Sequence, residues 1–156
     1  MQSGSDTVLR RMRRRYTSAE YLVTARRLQQ AFPGCALTTD VLCGFPGETE
    51  EEAAQTLDFC RRVGFARMHV FPFSPRAGTI AADMEGQLSR SIKMARARSL
   101  ISLGEELAAA YRRSLIGSLQ PVLFETAHQD GALGYTPQYV ECFAKGAQPG
   151  QLADVL

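Results

Sequence analysis

Three short stretches concentrate the residues that could do chemistry. In "VLCGFPGETEEE", residues 41 to 52, an apolar run ends in Gly44, Phe45, Pro46 and Gly47 and passes into Glu48, Glu50, Glu51 and Glu52. Glycines at such a point can bring backbone amides against a phosphate. A Walker loop, however, requires GxxxxGK[ST] and a Rossmann turn GxGxxG. The lysine and one glycine are missing, and the carboxylates would repel an anion. Two readings stay open: a bare left-handed turn with a helix cap, or a seat for a phosphate-free ligand such as an adenosine or amino-acid moiety. "RRMRRRY", residues 10 to 16, holds five arginines. Arginine forks pair with phosphates in bidentate fashion, so the stretch is either a nucleic-acid contact or a solvated face. "FPFSPRAGT", residues 71 to 79, sets Ser74, Arg76 and Thr79 in a loop where Pro75 and Gly78 could equally serve as plain turn residues.

The remaining reactive residues exclude other chemistries. Cys35, Cys43, Cys60 and Cys142 form no CxxC or CxxxC pair, and His69 and His128 are the only histidines. The cysteines read as buried thiols, and no metal site is expected. The net charge of +2 conceals a segregation. Residues 1 to 32 carry +5, residues 33 to 60 carry −6, residues 61 to 118 carry +6 and residues 119 to 156 carry −3. Blocks of this kind imply separate faces. No apolar run approaches the roughly 20 residues that span a bilayer, and residues 1 to 12 lack a signal-peptide core, so a soluble cytoplasmic protein with no membrane partner is expected.

Elements must position these stretches. Thr17 and Glu20 form a capping box ahead of Tyr21, Leu22, Ala25, Leu28 and Phe32 at helical spacing, and Pro33-Gly34 stops that helix. "CALTTDVLCGF" reads as a strand. Thr49 and Glu52 repeat the capping box before a helix with Ala53, Leu57 and Cys60 on one stripe and Gly64 at its C-cap, and "ARMHVFPF" follows as a second strand. One helix between two strands is a βαβ unit with parallel strands, whose ligand site lies at the C-terminal strand ends. "GFPGE" and "FPFSPRAGT" both fall there. A helix from Ser89 to about Leu115 would be about 40 Å long, so a break or a role spanning two domains is expected. "LQPVLFET", "ALGYT" and "YVECFA" then read as strands of a small all-β unit.

Taken together, "QSGSDTVLRRMRRRYT", "TTDVLCGFPGETEEE" and "HVFPFSPRAGTIAA" resemble the second half of the catalytic domain of the radical SAM methylthiotransferases. "GYTPQYVECF" stands where that family has G-x-T-x-x-Y-x-x-V in its RNA-binding TRAM domain. The resemblance implies the C-terminal portion of a partial (β/α) barrel over residues 1 to 113, with the long helix as a bridge, and a TRAM-like barrel over 114 to 156, its last strand cut short at Leu156. It implies methylthiolation of threonylcarbamoyladenosine at tRNA position 37. The alternatives are the isopentenyladenosine branch of the family and a non-catalytic RNA-binding module. The implied cofactors are S-adenosylmethionine, cleaved to a 5′-deoxyadenosyl radical, and two [4Fe-4S] clusters whose ligands lie outside these residues. With no catalytic residue of its own, the chain alone would be inactive. Carried over position by position, Gln2, Ser3 and Ser5 end a barrel strand facing S-adenosylmethionine, and Gly44, Phe45, Pro46 and Gly47 pack on it. Phe71, Ser74 and Arg76 belong to the last strand and its loop. Arg13, Arg14, Arg15, Arg112 and Arg113 would meet the anticodon stem-loop.

Overall fold

A computed structural model describes all 156 residues and resolves them into two compact units, Met1–Tyr111 and Arg112–Leu156. In the first unit α1 (Asp6–Arg11), α2 (Ser18–Ala31), β1 (Thr38–Cys43), α3 (Glu50–Val63), β2 (Arg67–Pro72) and α4 (Arg90–Leu115) follow one another, with a 3-10 turn at Ile80–Ala82. α4 ends in the second unit. β1 and β2 pair in parallel, Thr38 against Arg67 through Cys43 against Pro72, with α3 as the crossover. The chain is thus of mixed α/β class, as its pattern indicates, with an all-β segment after the helices.

Both expected capping boxes are present. Thr17 Oγ1 accepts from Glu20 N–H and Thr49 Oγ1 from Glu52 N–H, while each glutamate accepts from the amide of its own cap residue. Gly64 closes α3 in the left-handed region at φ 73°. The helical stripes are shifted from the simple reading. α3 buries Thr56, Phe59, Cys60 and Val63, leaving Ala53 and Leu57 half-buried. In α2 only Ala25 is fully buried, and Leu28 and Phe32 face solvent. α4 runs 26 residues without the break its length suggests. Leu100 and Leu103 anchor it to the core formed by Val41, Cys43, Phe59, Cys60, Val63 and Phe65. No helix is long and apolar enough to cross a membrane.

The segment before α1 is locked by a missing side chain. A Cβ on Gly4 would lie 2.5 Å from Phe59 Cβ and 2.9 Å from Thr56 Cα, so only glycine lets this backbone touch α3. Ser3 Oγ and Thr56 Oγ1 share a hydrogen bond of 3.0 Å, and Gly4 N–H donates to the same threonine oxygen at 3.2 Å.

The second unit is a four-stranded antiparallel sheet in the order β5-β4-β3-β6, built from β3 (Gln120–His128), β4 (Gly131–Tyr135), β5 (Glu141–Lys145) and β6 (Leu152–Val155). Three of these strands match the apolar runs. β6 falls where the resemblance implies a last strand, but the apolar pattern does not show it because "LADV" is short and carries an acid; it forms by pairing Gln120 with Val155 through Leu123 with Leu152. A register shift between Phe124 and Thr126 bulges β3 opposite Gly134, where a Cβ would lie 2.2 Å from Leu123 O. Bulge and glycine together bend the sheet over Val122, Phe124 and Ala132.

Gly4→Ala is expected to lower stability by about 1–3 kcal/mol, because backbone rather than a flexible side-chain end must move. Urea unfolding of the chain and its variant measures this directly.

Candidate functional site

The turn after β1 is organised by one buried carboxylate. α3 begins at Glu50 behind the Thr49 cap, so Glu48 is not one of the helix N-terminal acids and turns inward to 4% exposure. Its Oε1 accepts the Gly44 amide at 3.0 Å and the Arg96 guanidinium at 2.8 Å. Arg96, reaching across from α4, also donates to Glu48 O at 2.9 Å and to Glu50 at 2.6 Å. Burial pushes the Glu48 carboxyl above the usual carboxylate range, against the pull of the Gly44 amide and Arg96. Burial equally works against the Arg96 charge, but Glu50 and Glu48 outweigh it and hold the guanidinium charged.

The glycines have separate tasks. Both Gly44 and Gly47 sit at φ 71°. A Cβ on Gly44 would lie 2.6 Å from Lys93 Cγ, so this glycine makes room for α4. Nothing lies within 4 Å of a Cβ at Gly47, which borders open space. The Gly47 amide donates to Gly86 O at 2.8 Å and the Glu48 amide to Phe45 O at 2.9 Å. With the donors at 44, 47 and 48 all engaged inside the protein, the turn offers no anion cradle.

Beside the turn, Gln2, Arg11, Met12, Arg13, Arg14, Leu42, Phe45, Phe73, Ile80, Ala81 and Met84 enclose a cleft of about 230 Å³. Phe45 and Phe73 meet edge to face at 5.3 Å, and Lys93 Nζ stands 5.2 Å from the Phe73 ring. The floor is therefore apolar and aromatic, and the mouth carries arginines.

Comparisons with known proteins bear on this site. Residues 1–60 match the family model described as "Radical SAM superfamily". The chain is 40% identical over 153 residues to the "Threonylcarbamoyladenosine tRNA methylthiotransferase MtaB" of Bacillus subtilis, covering 95% of this chain and 34% of that protein. It is 38% identical over 156 residues to the MtaB of Thermotoga maritima, covering 99% of this chain and 36% of the relative. The chain belongs to the radical SAM methylthiotransferase family. A "tRNA-2-methylthio-N(6)-dimethylallyladenosine synthase" of Mycobacterium bovis is 45% identical over 126 residues, 81% of this chain and 25% of that protein. The chain spans about a third or less of the length of these relatives.

The carried-over residues divide by position. Gln2 and Phe45 line the cleft and Gly47 is exposed outside it, whereas Pro46 is buried and Gly44 faces Lys93. Residues 2 to 5 lie outside the strands of the sheet, and one backbone bond, Leu42 N–H to Gln2 O at 2.9 Å, links them to β1. Ser3 and Ser5 are 0% and 1% exposed; Ser3 bonds Thr56, and both serines are packed into the protein. Phe71 lies on the open face of β2 at 51% exposure, and Ser74 and Arg76 are exposed in the following loop. Of the arginines, Arg11 is engaged, forking onto Glu52 at 2.6 Å. Arg13, Arg14 and Arg15 are exposed, as are Arg112 and Arg113 in the last turn of α4.

The cysteines do not fit an iron–sulfur cluster. Cys43 and Cys60 are buried on β1 and α3, where desolvation pushes their thiols up to about 11 and about 12. Cys35 and Cys142 are half-buried rather than sealed in a core, and no group of three metal-ligating side chains converges. Sequence reasoning missed Arg96, Lys93 and Gly86. Nothing in "KMARARSL" separates the buried Arg96 from the exposed Arg98 until the helix is placed against the turn.

Arg96→Met is expected to cost about 3–5 kcal/mol in denaturant unfolding, because it strands a buried carboxylate. Without its partner, the folded-state pKa of Glu48 rises further above the unfolded value. The variant should therefore recover stability relative to the parent as pH falls through the carboxylate range, and Glu48→Gln in that background should restore part of the loss at neutral pH.

Proposed function

We propose that the chain forms one side of the substrate site of a tRNA methylthiotransferase, acting on threonylcarbamoyladenosine at position 37 of the anticodon stem-loop. In this reading residues 1 to 113 belong to the catalytic domain and residues 114 to 156 to a TRAM-like RNA-binding domain. One observation carries the RNA part of the reading. α1 ends with Arg13 N–H bonded to Arg10 O and Arg14 N–H to Leu9 O, both at 2.9 Å, a Schellman closure whose left-handed position is ordinarily glycine. Arg13 holds it at φ 56°. A non-glycine residue there costs of order 1 kcal/mol, a strain that persists where function needs the side chain. The strained turn presents Arg13 and Arg14 at the mouth of an aromatic cleft. A flat purine on Phe45 and Phe73, with its flanking phosphates on the arginines, matches that layout.

S-adenosylmethionine would lie beside the purine rather than in its place, against the outer side of the turn where Gly47 borders unfilled space and toward the Gln2 side chain at the cleft edge. The Gln2 carbonyl accepts from Tyr16 Oη at 2.7 Å, which fixes its amide for recognition. When bound, the cofactor supplies the family's radical chemistry. This chain's residues would hold the adenine and exclude water from it.

The second unit contributes little positive charge. Residues 119 to 156 hold four acids and Lys145, which pairs with Asp130 at 2.8 Å, so Arg112 and Arg113 are its candidates for phosphate contact. This charge balance favours the arginine turn of the first unit as the main electrostatic anchor.

Arg13→Gly separates the two roles of that residue. Relief of the left-handed strain should raise stability by about 1 kcal/mol in urea unfolding. Affinity for an anticodon stem-loop RNA should fall, and the slope of log K against log salt should become shallower by about 1. Replacing Arg13, Arg14 and Arg15 together should flatten the slope further, whereas unaltered binding would return the stretch to a solvated surface.

A further inference from the structure

The parallel sheet has a second face that the cleft alone does not use. Val41, Cys43, Met68 and Val70 pack into the core, so Thr38, Asp40 and Leu42 of β1 and Arg67, His69 and Phe71 of β2 stand on the opposite face. The register sets Asp40 beside His69, Leu42 beside Phe71 and Thr38 beside Arg67. Leu42 is also part of the cleft wall. From the cleft inward, an apolar row is followed by a polar row about 6.7 Å along the strands. Asp40, His69 and Arg67 are exposed, and none of them enters an ion pair.

We propose that Asp40, His69 and Arg67 form a subsite that selects the substituent on the adenine N6, favouring threonylcarbamoyl over dimethylallyl; the inference rests on the reading that an adenosine enters the cleft. A threonylcarbamoyl group brings urea N–H donors, which the Asp40 carboxylate accepts. It also brings a carboxylate, which the His69 ring N–H and the Arg67 guanidinium receive. A dimethylallyl group keeps the N6–H but lacks the second urea N–H and the carboxylate, and would cover Asp40, His69 and Arg67 without replacing the hydrogen bonds they make to water. Sites built to hydrogen-bond a ligand discriminate strongly against analogues lacking those groups. The distance between the rows suits this division, with the purine over Leu42 and Phe71 and the substituent reaching Asp40 and His69.

The test is an NMR titration of the isotope-labelled chain with two free nucleosides, N6-threonylcarbamoyladenosine and N6-dimethylallyladenosine. Both should shift Phe45 and Phe73. The threonylcarbamoyl nucleoside alone should shift the His69 imidazole and the Asp40 amide, and it should bind at least about tenfold more tightly. Asp40→Ala and His69→Ala, at exposed positions where an unperturbed core spectrum verifies folding, should bring the two affinities to within about twofold. Equal affinities in the parent chain, or a preference that survives both substitutions, overturns the subsite and leaves the adenosine reading standing. If neither nucleoside shifts Phe45 or Phe73, the adenosine reading fails and the subsite fails with it.

Discussion

The Glu48–Arg96 pair is the constraint around which the first unit is arranged. A carboxylate at 4% exposure is tolerable only if it is hydrogen-bonded and paired, and here a backbone amide and a guanidinium converge on its Oε1. The amide belongs to Gly44, at the end of β1, and the guanidinium to α4. One charged contact therefore fixes the turn, the start of α3 and the approach of the long helix. The turn's internal bonding follows: with Gly44 N–H on Glu48 and Gly47 N–H on Gly86 O, the loop is rigid and its remaining surface is aromatic. A ligand here is gripped by shape and stacking, which suits a nucleoside better than an anion.

Local chemistry was legible in the sequence and long-range pairing was not. Both capping boxes, the Gly64 cap and the parallel βαβ unit could be read because each depends on residues a few positions apart or on a single change of period. The acidic run misled at one place. Glu48 looks like its neighbours in one dimension, and only the partner on α4, 48 residues away, separates it from the solvent-facing Glu50 and Glu51. The environment of Ser3 was likewise not legible, because its partner Thr56 lies 53 positions away on α3. β6 is invisible to the apolar pattern because its four residues form a strand only through pairing with β3.

Charge segregation along the chain becomes intelligible in three dimensions. The acidic block that includes Glu48, Glu50 and Glu52 spends three of its carboxylates on arginines from either side, Arg96 from α4 and Arg11 from α1. The arginine turn at 13 to 15 has no such partner and stays exposed. Pairing of these three carboxylates inside the protein leaves them less free to offset the arginines at the cleft mouth.

Glu52 closes the box that starts α3 and also clamps Arg11 in the turn of chain leading to Arg13. Burial opposes its charge, but the Arg11 fork and the Thr49 amide outweigh that and keep its carboxyl below the usual range. The two duties share one side chain, so they cannot be relaxed independently. A fluctuation that frees the arginine turn must also release the Thr49 amide and fray the first turn of α3, making local opening at the cleft mouth and at the helix start a single cooperative event.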